Sequence, residues 1–348
     1  MISLLKLKKL KYAQMNLNMK NKYIIAAVAL IIPILVLVIF MKNNFAEKRE
    51  PLWEFRAVDT VKYSRDVTGQ MLTRPEFDSV IERQTADIAS LGVTHIALGS
   101  PYDQDYVPFL ARWVKAARDH NLKVWFRGNF SGWENWFGYQ RIGREEHKKL
   151  LREFIISNPY LFEDGDIFTS CPECENGGPG DPRLNGDPEG HKRFLIEEYN
   201  ISLEAFGKIN KKVNVGFYSM NYDVAKLIMD KETTRALGNI VVIDHYIKNP
   251  VQVSEDARFI ANQSGGKVVL GELGAPIPDI HGDMTEEAQS EWIEEALEEA
   301  KKTPEIIGVN YWVNVGGSTR LWNDDGSARK AVEIIRKFFT ETKITQSP

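Results

Sequence analysis

The sequence predicts a (β/α)8 barrel behind one N-terminal transmembrane helix. Two observations carry that prediction. From residue 53 onward, short apolar runs alternate with amphipathic stretches, and the alternation repeats eight times before the chain ends at residue 348. Eight strand–helix units over about 290 residues is the arithmetic of a closed parallel barrel, usually about 250 residues plus insertions. Ahead of them, residues 23–41 form a run of 19 without a charge. A doubly wound open sheet is the alternative. It usually has fewer strands and a Gly-rich phosphate-binding first turn, and neither is present here.

The apolar run comes first in the chain. At roughly 1.5 Å per residue it reaches about 28 Å, close to a hydrocarbon core of about 30 Å. Pro33 is tolerable inside a membrane helix. Lys6, Lys8, Lys9, Lys11, Lys20 and Lys22 precede it, whereas Lys42, Lys48 and Arg49 after it are mixed with Glu47 and Glu50. The positive-inside rule keeps such an N-terminus in the cytoplasm and sends the large domain outside. A cleaved signal peptide is the other reading, but the run is long for one and no A-x-A site follows. The expected organisation is a basic cytoplasmic segment 1–22, an anchor 23–41, a polar tether 42–52, a barrel 53–342 and a tail 343–348.

The predicted strands are 53–59, 93–99, 123–129, 166–170, 213–218, 240–246, 267–272 and 306–312, each a short apolar run. The predicted helices follow at 77–91, 106–120, 144–157, 189–209, 224–237, 251–262, 285–302 and 328–339. Gly92 closes the first as a C′ residue, and Thr285 with Glu286 and Glu287 opens the seventh with early acids. Glu294, Glu295, Glu298 and Glu299 form a solvated face of that seventh helix. No internal repeat or low-complexity tract interrupts the series.

Composition narrows the function. Hydrophobic residues make up 43% and charged residues 26%, which is ordinary for a globular chain. A net charge of −4 without a basic stripe argues against nucleic acid as partner. Cys171 and Cys174 are the only cysteines, spaced C-x-x-C. That spacing admits a redox dithiol, half a metal site, or a local disulfide or inert pair. A zinc site needs two more ligands, and none of the six His is suitably placed. No metal and no cofactor is expected.

In a barrel of this kind the active site lies at the C-terminal ends of the strands. The polar residues there are Arg56 and Asp59, Arg127 and Asn129, Glu173 and Glu175, Tyr218 and Asn221, His245 and Tyr246, Glu272, and Trp312 with Asn314. Glutamates stand at two strand ends, the fourth and the seventh. A carboxyl pair across a cavity suits glycosidic bond cleavage, one protonated to donate to the leaving oxygen and one ionised to attack or to activate water. Gly271 and Gly274 leave room around Glu272. Each glutamate also has a bland reading, Glu173 as a loop cap and Glu272 as a salt-bridged strand end.

These motifs, in this order, resemble the large clan of retaining (β/α)8 glycoside hydrolases that includes many cellulases, mannanases and β-glycosidases. Pro172-Glu173-Cys174-Glu175-Asn176 is similar to the Asn-Glu-Pro-Glu-Asn that carries the clan's acid/base after strand four. Gly271-Glu272-Leu273-Gly274 resembles its nucleophile segment. The tail Leu321-Trp322-Asn323-Asp324-Asp325-Gly326 is similar as well. The resemblance spans about residues 53 to 340 and implies Glu173 as acid/base, Glu272 as nucleophile, Tyr246 bonding the nucleophile, and Trp312 flooring the adjoining subsite.

Pro172 departs from the pattern, standing where the clan has an Asn that binds the sugar 2-hydroxyl. That contact is then expected to move to Asn129 or Asn221. Glu175 rivals Glu173 as acid/base. Tyr246 with Arg56 or Arg127 is expected to keep Glu272 ionised, and Trp125, Trp133, Trp136 and Trp312 are candidates to stack on sugars. His245 and Tyr218 complete the candidate substrate-binding set. The expected protein is a membrane-anchored, extracytoplasmic retaining glycosidase acting on an oligo- or polysaccharide. The rivals are an inactive barrel that binds glycans and a C-x-x-C redox protein.

Overall fold

The computed structural model describes residues 48–177 and 180–345, with a few isolated positions before residue 23. The expected anchor, 23–41, lies outside the described residues. Among those described, no helix is long and apolar enough to cross a membrane.

Within Pro51–Glu341, eight parallel strands form one curled sheet. They are β1 (Phe55–Asp59), β2 (His95–Leu98), β3 (Lys123–Phe126), β4 (Ile167–Phe168), β5 (Ser219–Asn221), β6 (Ile240–Asp244), β7 (Lys267–Leu273) and β8 (Ile306–Tyr311). The order is β4-β3-β2-β1-β8-β7-β6-β5. Asn214 closes the ring by bridging Ile167 in parallel, with Phe168 N donating to Asn214 O and Asn214 N to Asp166 O, both at 2.8 Å. Separately, Lys48–Pro51 and Thr342–Thr345 pair as a two-stranded sheet. Those segments fall in the stretch read as tether and at the junction of barrel and tail; Lys-Arg-Glu-Pro and Thr-Lys-Ile-Thr hold one apolar side chain beside the proline, too little signal from which to predict a strand.

Helices lie where the amphipathic stretches predict them, with one division. The stretch 224–237 is two helices, Tyr222–Ile228 and Lys231–Ala236. Asp230 begins the second by accepting a hydrogen bond from Thr233 N, so the chain restarts a helix where continuous periodicity implied one. Thr285 caps Glu286–Lys301 in the same way, through Ala288 N.

Strand five differs more. The run 213–218 reads as one strand, but its first half closes the barrel onto β4 while its register with β6 begins only at Ser219. The break is at Gly216, with φ at +85°, where a Cβ would stand 2.3 Å from the Leu237 carbonyl oxygen. Only glycine fits that conformation and that approach.

The barrel interior is packed. Phe55, Ala57, Ala97, Trp125, Ile167, Phe217, Val242 and Val269 fill it. Trp125 donates from Nε1 to Thr169 Oγ1 at 2.9 Å and meets Phe217 edge-on at 5.7 Å. The small Ala57 and Ala97 make room for these rings. A second cluster, which includes Val58, Leu98, Val124, Ile243 and Leu270, lies between sheet and helices. Successive strand residues thus alternate inward and outward.

Gly216→Ala should destabilise the fold by about 2–4 kcal/mol, since both conformation and space are wrong for a Cβ. Thermal unfolding of the variant against wild type checks this; an unchanged Tm would contradict the strand-five geometry.

Candidate active site

The strand alternation decides which polar residues reach the mouth of the barrel. On β1, Phe55 and Ala57 point inward, so Asp59 follows them in and Arg56 turns out. On the third strand Trp125 points in and so does Arg127. On β6, Val242 and Asp244 share the inner face, Tyr246 continues it, and His245 faces the helices. On β7 the register slips: Leu270 pairs with Ile243 but Glu272 with Asp244, leaving Gly271 in a bulge. That extra residue turns Glu272 inward. A Cβ on Gly271 would meet Asp244 Oδ1 at 2.5 Å.

Glu272 therefore stands over the barrel with two donors on its carboxylate. Tyr246 Oη donates to Oε2 at 2.6 Å, and Arg127 Nη2 donates to Oε1 at 3.0 Å. Arg127 is buried. Its Nη1 donates to Asp59 Oδ2 at 2.6 Å and its Nη2 to Ser219 Oγ at 3.0 Å. Trp312, half-buried, meets the Tyr246 ring edge-on at 5.9 Å.

Glu173 faces Glu272 from the loop after β4. The two cysteines around it form a disulfide, Cys171–Cys174, with a Cα separation of 5.2 Å, and both are buried. The C-x-x-C is thus a local cross-link rather than half of a metal site. Glu173 adopts the left-handed region at φ +45°, a conformation that costs a non-glycine residue about 1–3 kcal/mol. It is held by its N–H to Ser219 O and by its carbonyl accepting from Asn176 N, both at 2.8 Å. Asn176 Nδ2 donates to Glu173 Oε2 at 3.2 Å. One carboxylate oxygen from each of Glu173, Asp244 and Glu272 lies within 4.8 Å of the others.

A cleft of about 600 Å³, partly open to solvent, covers this pair. Asp59, Arg127, Glu173 and Glu272 line its floor, and Arg65, Asn129, Glu134, Trp136 and Asn176 its sides. Pro172 also lines it, so the position read as lacking an amide does face the cleft. Glu175 does not line it. Its Oε1 accepts from Asn221 N at 2.7 Å and Nδ2 at 2.9 Å, which fixes it beneath the loop. Asn129 lines the cleft with its amide engaged, Nδ2 donating to Glu134 Oε1 at 2.7 Å and Oδ1 accepting from Phe130 N at 3.1 Å.

Several further expected site residues lie elsewhere. Arg56 donates to the Gly92 carbonyl at 3.1 Å and the Trp53 carbonyl at 2.6 Å. Tyr218 is buried in the outer core, with its hydroxyl accepting from Ser170 Oγ at 3.4 Å. His245 is buried with Nε2 3.0 Å from the Asp256 carboxylate. Trp125 points inward but too deep, in the barrel floor. Trp133 packs on Phe194 with ring centres 5.3 Å apart, whereas Trp136 faces the cleft with the Arg65 guanidinium 4.9 Å from its ring centre. Asp244, Glu134 and Arg65 complete the surroundings of the pair and were not singled out from sequence. Parity from Tyr246 back along its strand points to Asp244; Glu134 and Arg65 sit at the ends of the four-residue helices Ser131–Glu134 and Val61–Ser64, too short for a periodic signal.

Burial raises the carboxyls here. Glu173 is pushed up by desolvation and then by the neighbouring Glu175 charge. Glu272 is pushed up by burial to about 7, against the pull of Arg127. Geometry decides which of the two keeps a proton: Glu272 accepts two strong donors and Glu173 only the Asn176 amide, so the proton belongs on Glu173.

No family model matches the sequence, and comparison with curated proteins finds no match. Solved structures share the fold. A GH5_18 protein from Streptomyces cattleya, in complex with GlcNAc, superposes with a TM-score of 0.63 at 16% identity over 86% of this chain and 82% of its own. A variant of GH5_18 from Bifidobacterium longum subsp. longum, in complex with Manb1-4GlcNAc, gives 0.59 at 13% identity over 82% and 77%. A beta-D-glucuronidase from Dictyoglomus thermophilum gives 0.58 at 11% over 87% of this chain and 55% of that one.

A carboxyl whose folded pKa exceeds its unfolded value stabilises the fold fully below the unfolded pKa, near 4.3, and loses that contribution as pH rises through the folded one. Glu272→Gln should therefore match wild type in Tm near pH 4 and exceed it near pH 8, by a gain of about 1–2 kcal/mol. Melting curves at the two pH values test this; equal Tm at both would show that Glu272 is not strained by burial.

Proposed function

We propose that this chain is a glycoside hydrolase that cleaves O-glycosidic bonds with retention of configuration. The single observation that carries the reading is the Glu173–Glu272 pair, its oxygens within 4.8 Å across an open cleft. Retaining enzymes hold their two carboxyls about 5–5.5 Å apart, inverting ones about 6.5–9.5 Å. The shared fold with glycoside hydrolase structures supports the same reaction class.

Glu272 attacks the anomeric carbon while Glu173 gives its proton to the leaving oxygen. The glycosidic C–O bond breaks, and a glycosyl ester forms on Glu272. Glu173, now a carboxylate, takes a proton from water as that water attacks the anomeric carbon. The ester bond breaks, Glu272 returns as a carboxylate and the sugar leaves. Tyr246 and Arg127 hold Glu272 ionised and oriented for attack. Activity then needs Glu272 deprotonated, which sets the acid limb of the pH profile, and Glu173 protonated, which sets the alkaline limb.

The cleft favours an uncharged glycan. Asp59, Glu134, Glu173 and Glu272 line it against Arg65 and Arg127. Arg127 is already committed to Asp59 and Glu272, so a uronic acid would meet net negative charge. Neutral sugars such as the GlcNAc and mannose units bound by the fold's neighbours suit it better. Residues 23–41 would anchor the barrel on the outer face of a membrane. If so, the full chain sediments with membranes and a chain starting at residue 48 does not; a full chain found in the soluble fraction would refute it.

The chemistry is tested with aryl glycosides. Glu272→Ala should lower kcat by at least about 10⁴-fold, and Glu173→Ala by about 10²–10⁴-fold, with a smaller loss on dinitrophenyl leaving groups that need no acid. Azide should rescue both, giving a glycosyl azide of retained configuration with Glu173→Ala and of inverted configuration with Glu272→Ala. Activity unchanged in either variant refutes the assignment, and glycan binding without any turnover in wild type would favour an inactive, binding barrel.

A further inference from the structure

Asp244 ends β6 beside the carboxyl pair, yet it does not line the cleft. It is 4% exposed. Neither of its oxygens receives a hydrogen bond from any described protein group. Arg127 Nη2 is its nearest cation at 3.7 Å, beyond hydrogen-bond reach, because that guanidinium is already turned to Asp59, Ser219 and Glu272. Gly271 packs against Oδ1 from behind, and its missing side chain is what leaves room for the carboxyl. The groups acting on Asp244 from the surrounding elements are Arg127 from the third strand, Glu173 and Glu175 from the loop after β4, and Glu272 from β7.

One guanidinium thus faces three acids, Asp59, Asp244 and Glu272, the first two of them buried. An ionised carboxylate at this depth with no donor is costly, whereas a protonated one carries its own donor. We propose that Asp244 is a positioning residue of this site, a carboxyl that stays neutral so that Arg127 serves Glu272. The inference rests on the reading of Glu272 as nucleophile. Burial, and next the Glu272 charge, push Asp244 well above the usual carboxylate range, in the same direction. A negative Asp244 would add a like charge beside Glu272 and draw Arg127 off it. A neutral one leaves the charge of the reacting pair unchanged through both steps: minus one on Glu272 at rest, minus one on Glu173 in the intermediate.

The test is Asp244→Asn in the full chain, which keeps shape and neutrality. The expected kcat/KM stays within about fivefold of wild type, with the acid limb of its pH profile unmoved. If Asp244 were ionised in wild type, the substitution would remove a like charge next to Glu272 and lower the acid limb by about one pH unit or more; that result overturns the proposal. A second readout needs no substrate, so it separates this idea from the glycosidase reading. The infrared difference between wild type and Asp244→Asn near neutral pH should show loss of a protonated-carboxyl C=O band, and loss of carboxylate bands instead overturns the proposal. Should the variant fail to fold, wild type with 13C-labelled aspartate carboxyls decides. One resonance should hold the protonated position from about pH 5 to about 8, and its absence overturns the proposal.

Discussion

One buried guanidinium ties the mouth of this barrel together. Arg127, extending the third strand, bonds Asp59 on β1, Ser219 on β5 and Glu272 on β7. A cation at that depth is tolerated only because anions surround it. Removing the guanidinium itself would strand the anions around it, a loss that typically costs about 3–5 kcal/mol. The same contacts that fix the strand ends also set the angle of the Glu272 carboxylate. Fold and site therefore share one electrostatic support, and neither can be altered without the other.

Much of the fold was legible because eight apolar runs at regular spacing allow few architectures. The two carboxylates were legible because strand ends are where a parallel barrel puts its chemistry. What the sequence concealed follows mostly from parity. Tyr218 and His245 sit at the right height but on the wrong face, one residue from Ser219 and Tyr246, whereas Arg56 faces outward near the start of β1, below Asp59 at its end. Counting by twos from a known inward residue would have corrected all three. It would also have failed at Glu272, where the bulge at Gly271 resets the count. Trp125 was misplaced in depth rather than direction: a large ring was needed to fill the barrel beside the small Ala97, its partner on the neighbouring strand.

The region after β4 is irregular for a related reason. The strand has only two paired residues, Ile167 and Phe168. Beyond them the backbone turns through a left-handed glutamate and a short cross-linked loop. Strained conformations persist where surrounding contacts determine them, and here the contacts include Ser219 of β5, the strand that begins where Gly216 breaks the run. The bent fifth strand and the bent fourth loop meet at one hydrogen bond, Glu173 N to Ser219 O. Neither irregularity has a pattern in the sequence, because each is defined by the other.

The cross-link has a consequence beyond geometry. Cys171 and Cys174 bracket the residue whose backbone must be held in an unfavourable state, and such bonds persist in oxidising surroundings but not where glutathione keeps thiols reduced. Closing the loop covalently therefore takes an oxidant from outside the fold. The last step in building this site would then belong to the compartment rather than to the fold.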